Sequence, residues 1–190
     1  MGGQVWPISA GSWALRNELA YMRLNPQVPA RVKSIVFVLN AGDFDNTASS
    51  WACEWTHPRS KPVVALWYLT NKYVYNLAPC GSTPAALQVP DGDLAAELKA
   101  FINLHGTKTT FVLYPDKQQA ADAALAARHF APGQALLAAA GAKRVVQVQQ
   151  DKRWNSSYYQ DGIHPTAAGF GVLAGIIRDD LDRVEQVGSL

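Results

Sequence analysis

The sequence predicts a three-layer α/β domain built on a parallel sheet, and three observations carry that expectation. The run at 34–40 is continuous and apolar rather than alternating, as a strand buried on both faces requires, 109–114 reads as another buried strand, and 144–148 as a third strand. Between and after them lie segments whose apolar residues recur every three or four positions. Strand and helix therefore alternate through short links, the order that covers both faces of a parallel sheet.

The elements follow in chain order. Val5 to Ser9 is a short apolar stretch broken by Pro7, and Ser12 is placed to cap a helix carrying Trp13, Leu15, Leu19 and Met22. That helix should stop near Asn25-Pro26. After the first strand, Ala41 to Asn46 is rich in turn formers, and Thr47 to Lys61 reads as a long loop of a kind that is usually functional or mobile. Val63 to Leu77 is apolar all round and is expected to be a buried helix. Asp93 should cap a helix through Leu94, Leu98, Phe101 and Ile102 that ends at His105-Gly106. Residues 116–140 are Ala-rich and helical, with an interruption expected at Pro132-Gly133. Thr166 opens a last helix whose Phe170, Leu173, Ile177, Leu181 and Val184 form its apolar repeat.

Length and composition bound the function. A chain of 190 residues with 48% hydrophobic content fits one domain spanning 1–190, and no internal repeat or low-complexity linker divides it. A formal charge of +2 implies no strong attraction to nucleic acid. No apolar run approaches the roughly 20 residues that span a bilayer. Gly-rich phosphate loops of the G-x-G-x-x-G or G-x-x-x-x-G-K type are absent. His57, His105 and His129 have no mutual spacing suited to metal ligation, so neither metal nor organic cofactor is expected. Cys53 and Cys80 fit either one disulfide or two unrelated buried thiols. A disulfide would favour a periplasmic or secreted setting, and without one the localisation is open.

In such sheets reactive groups collect beyond the C-terminal ends of the strands. The segment after the third strand holds Asp161-Gly162-Ile163-His164-Pro165, a carboxylate three residues before an imidazole. The glycine lets the backbone bend and the proline starts a helix. Such a turn can set the Asp161 carboxylate on one ring nitrogen of His164 and leave the other as a general base.

Asp161-Gly162-Ile163-His164-Pro165-Thr166-Ala167-Ala168-Gly169, followed by an apolar helix, resembles the last block of the SGNH (GDSL-type) hydrolases. The resemblance implies a flavodoxin-like α/β/α sandwich and a carboxylic-ester hydrolase or O-acyltransferase, with His164 as base and acid and Asp161 orienting it. Ala10-Gly11-Ser12-Trp13 looks like the family's second block, which implies that Gly11 offers its N–H to an oxyanion. Gly42-Asp43-Phe44-Asp45-Asn46 looks like the third block, but Phe44 stands where the family has its oxyanion asparagine, so Asn46 is the nearest amide for that role. The first block, a strand ending in G-D-S, is not found.

Ser12 follows a glycine and opens a helix, so it is either the attacking serine or simply a helix cap. In the second case the first strand and its nucleophile are expected upstream of Met1, and a sheet short of a strand should associate with another chain. Trp51, Trp55, Trp67, Trp154, Tyr158 and Tyr159 gather near the expected site; half or more of them are expected to be core or rim packing, and because flat aromatic faces suit sugar rings the expected substrate class is a small-molecule or glycan ester. The alternative is a non-catalytic SGNH-like domain that binds a glycan or a protein.

Overall fold

The computed structural model describes residues 4–9, 13–45, 63–70, 89 and 91–187. Its first helix, α1 (Leu15–Leu24), ends with Asn25 as its cap, where Pro26 prevents continuation. At its start the sequence expectation needs correction. The cap is Ala14 rather than Ser12, and the Ala14 N–H donates to Asn17 Oδ1 at 3.1 Å. A short helix α2 (Gln27–Arg31), not expected from the sequence, leads into β1 (Ile35–Leu39).

Of the expected helix at 63–77, the described part is α3 (Ala65–Thr70), on which Leu66 and Trp67 are exposed rather than buried. Helix α4 (Leu94–His105) starts as expected, with Asp93 Oδ1 accepting from the Ala95 N–H at 2.9 Å. It delivers the chain to β2 (Thr109–Leu113).

The Ala-rich region breaks at Asp122, not at Pro132-Gly133. Helix α5 (Lys117–Ala121) ends there, and α6 (Ala123–Ala140) then runs unbroken through Pro132. Asp122 adopts an extended backbone, and its carboxylate accepts from the N–H groups of Ala124 and Leu125, so the side chain creates a new helix start. At Pro132 the helix forfeits one backbone bond. Its buried stripe of Ala126, Phe130, Gly133 and Leu137 continues on both sides, and that packing holds it together. Gly141 closes the helix with φ +87°, a left-handed conformation that suits glycine.

Strand β3 (Val145–Gln147) is shorter than expected because Val148 to Gln150 turn into a 3₁₀ segment. Helix α7 (Ala167–Val187) opens after Thr166, whose Oγ1 accepts from the Gly169 N–H at 3.1 Å. Its buried face runs through Gly169, Leu173 and Ile176, so Phe170 lies exposed instead of in the core.

The three strands are parallel in the order β1-β2-β3, with Phe37 opposite Phe111 and Phe111 opposite Val145. Alternation along β2 separates two apolar clusters. Phe111 and Leu113 join Ile35, Phe37 and Leu39 against Leu15, Leu98, Phe101, Phe130 and Leu137 from α1, α4 and α6. Val112 and Tyr114 join Val148, Trp154, Tyr159, Leu173 and Ile176. Each fully buried Leu or Phe is worth roughly 1.5–3 kcal/mol of transfer free energy. At the N-terminal ends of the strands, Asp180 of α7 accepts from Thr110 Oγ1 at 3.3 Å and from the Arg144 guanidinium at 2.9 Å, which fixes α7 to the sheet.

Candidate active site

The segment 159–165 is a small closed loop. Tyr159 and Pro165 form an antiparallel bridge, Gln160 N–H donates to the His164 carbonyl at 3.0 Å, and Thr166 N–H donates to the Tyr158 carbonyl at 2.6 Å. Gly169 is essential to that closure, because α7 packs directly on the backbone of Tyr158.

Inside the loop the structure brings Asp161 and His164 together. Asp161 Oδ1 accepts from the backbone N–H groups of Ile163 at 2.8 Å and His164 at 2.7 Å, and Oδ2 lies 2.8 Å from His164 Nδ1. The His164 N–H, the Ile163 N–H and then the ring hold the Asp161 carboxyl down to about 2, so it is ionised at any ordinary pH. An ionised carboxylate only accepts, which places the shared proton on Nδ1 and leaves the lone pair on Nε2. The side chains of His164 and Asp161 are 67% and 52% exposed, so the ring is reachable from solvent.

The loop after β2 supports this turn from behind. Tyr114 Oη donates to the Ile163 carbonyl at 2.7 Å, and Lys117 N–H donates to the Gly162 carbonyl at 2.9 Å. Neither contact was read from the sequence. The available signal was a tyrosine closing an otherwise apolar strand, since a buried hydroxyl must find a partner.

Ser12, Gly11 and Asn46 lie outside the described residues, as do Cys53, Cys80, His57, Trp51 and Trp55. The described part of the expected third block is a 3₁₀ turn, Ala41 to Phe44, in which Gly42 N–H donates to Asn40 Oδ1 and Asn40 N–H to Asp43 Oδ2. Burial pushes the Asp43 carboxyl up to about 6. Phe44 packs on α6, where a Cβ on Gly133 would stand 2.5 Å from its ring, so this aromatic serves the core.

The other two described histidines, His105 and His129, make packing and hydrogen-bond contacts away from this pair. His105 packs on Phe101 with ring centroids 5.1 Å apart, and His129 Nδ1 accepts from Gln119 Nε2 at 3.0 Å. Among the described residues no group of three or more His, Cys, Asp or Glu could hold a metal ion, and no helix is long and apolar enough to cross a membrane. Trp154 and Tyr159, read as candidates for sugar stacking, are buried at 6% and 5% exposure, so they belong to the core.

Comparison of this chain with family models, curated proteins and solved structures found no match.

Proposed function

We propose that this chain is a single SGNH-type domain over 1–190 that hydrolyses a carboxylic ester or transfers its acyl group. On this reading the two apolar clusters on either face of the sheet make it a three-layer α/β/α sandwich of the flavodoxin-like kind. The observation that carries the function is the 2.8 Å contact between Asp161 and His164, made in a loop at the C-terminal end of the sheet.

Chemistry at that pair is acyl transfer. Ser12 Oγ attacks the ester carbonyl while His164 Nε2 takes its proton, and Asp161 stabilises the resulting imidazolium. The Gly11 N–H and the Asn46 amide donate to the developing oxyanion, where one well-placed donor is typically worth roughly 3–4 kcal/mol. The imidazolium returns its proton to the departing alkoxide, and water or an acceptor hydroxyl then releases the acyl group by the reverse steps. A small-molecule or glycan ester is the substrate class, and of the aromatic residues expected to meet a sugar ring Trp67 is described and exposed.

One observation favours a second reading. Among the described residues β1 pairs only with β2, and Val38 is 42% exposed. An edge left unpaired among the described residues fits an SGNH-like chain that self-associates and binds a glycan or protein without catalysis.

Hydrolysis of p-nitrophenyl acetate by the intact chain, Ser12→Ala and His164→Ala separates the readings. Loss of hydrolysis in both variants supports the esterase with Ser12. Hydrolysis that survives His164→Ala overturns the base assignment, and an inactive parent chain supports the second reading.

A further inference from the structure

The two peptide groups between Gly162 and His164 are held at both ends. Their N–H groups point to Asp161 Oδ1, and their carbonyls accept from the loop after β2, Gly162 O from the Lys117 N–H and Ile163 O from Tyr114 Oη. The peptide joining Ile163 to His164 is thus fixed by a tyrosine hydroxyl on its oxygen and by the aspartate on its nitrogen. Donation to a carbonyl polarises the amide and strengthens its own N–H as a donor.

We propose that Tyr114 is the positioning residue of the Asp161–His164 pair: its hydroxyl, anchored on the sheet, orients the peptide that aims the aspartate at the imidazole.

Three features suit Tyr114 to this work. It directly follows β2, the central strand, and is 7% exposed, so its backbone is among the least movable in the chain. Its ring is edge-on to Trp154 with centroids 5.7 Å apart and tilted against Tyr159 at 5.8 Å, while Trp154 Nε1 donates to Tyr159 Oη and Tyr159 Oη to the Pro115 carbonyl. Burial holds its hydroxyl protonated well beyond the usual phenol range, so it remains a donor wherever the pair can act. Phenylalanine would pack as well in such a cluster, so the hydroxyl marks a requirement beyond packing. The turn it supports is itself solvent-facing, and a surface turn without such an anchor would sample several orientations.

The inference rests on His164 serving as the base, but its test reads the pair directly. Tyr114→Phe keeps the ring and deletes the donor. The expected result in NMR is a His164 Nδ1–H resonance that broadens or disappears, faster exchange of the Ile163 and His164 amides, and an Asp161 carboxyl that titrates at higher pH than in the parent. For an active parent chain, kcat falls roughly tenfold with KM nearly unchanged, the pattern of an interaction that matters in the transition state.

Thr110→Val is the control, since it removes a buried hydroxyl from the other end of β2, where it donates to Asp180. It is expected to lower thermal stability while leaving those resonances in place. Should Tyr114→Phe fail to fold, replacing Tyr114 with 3-fluorotyrosine supplies a stronger donor in the same ring, and the Asp161 titration should move down instead. Unchanged Nδ1–H, amide and carboxyl signals in either Tyr114 variant overturn the proposal. An inactive parent with these NMR shifts intact would overturn the esterase reading alone.

Discussion

Gly169 lies so close to Tyr158 that a Cβ on it would stand 2.7 Å from the Tyr158 carbonyl oxygen and 2.9 Å from its Cβ. That carbonyl already accepts from the Thr166 N–H, and Tyr159 is bridged to Pro165, so residue 158 has no room to retreat. The glycine thereby sets how tightly α7 closes the loop that carries Asp161 and His164.

Gly169→Ala should therefore destabilise the protein by about 1–3 kcal/mol, the usual cost of overpacking. Helix propensity alone predicts the opposite, a gain of up to about 1 kcal/mol. Gly171, two positions on, has nothing within 4 Å of the added Cβ, so Gly171→Ala isolates the propensity gain. Urea unfolding of both variants decides, and equal gains in the two would show that the contact at Tyr158 yields freely.

Asp161→Asn keeps the size of the side chain but replaces a full acceptor with an amide. The ring then loses its reason to hold the proton on Nδ1, and kcat should fall by roughly 10⁴ if Nε2 is the base. The same substitution has a signature in stability. The Asp161 carboxyl is held at about 2 in the folded chain against an ordinary 3.8, so its contribution is complete above 3.8 and fades as pH falls towards 2. Denaturation of parent and variant should show a stability gap at neutral pH that narrows below about pH 3.8. A gap of constant size across that range would mean that the three contacts to the carboxylate do not favour its ionised form.

The strands and the Asp161–His164 turn were legible because their signals are local. The apolar runs mark the strands, although only β2 is buried along its whole length while Val38 of β1 and Val145 of β3 are exposed. Three residues are too few to separate a carboxylate from an imidazole once the Asp161 side chain itself closes the turn on the Ile163 and His164 N–H groups, with no left-handed conformation needed at Gly162. What the sequence hid depends on distant partners. Pro132 reads as a helix breaker, yet Phe130 and Leu137 on either side are fully buried and hold α6 through it. Phe170 matches a helical repeat, but the buried face is set by Gly169 against Tyr158, one residue away. Trp154 and Tyr159 are aromatic residues in a loop, and only Tyr114, some 40 positions earlier, shows that they line a core.

Glu18 supplies a prediction that is independent of catalysis. Burial first, and then the charge of Asp43, push its carboxyl up to about 8, and its Oε2 finds no hydrogen-bond partner among the described residues. The folded chain thus favours the protonated acid. A folded value above the ordinary 4.5 means that its contribution to stability is complete below 4.5 and is lost as pH rises through 8. Asp43, raised to about 6, acts in the same direction over a lower range, so the interval above 6 reports mainly on Glu18. Glu18→Gln is neutral throughout and should gain on the parent as pH rises: thermal melts should nearly coincide at about pH 4.5, with the variant clearly more stable at about pH 8. A variant less stable than the parent at the higher pH would show that Glu18 is ionised and paired in the folded chain.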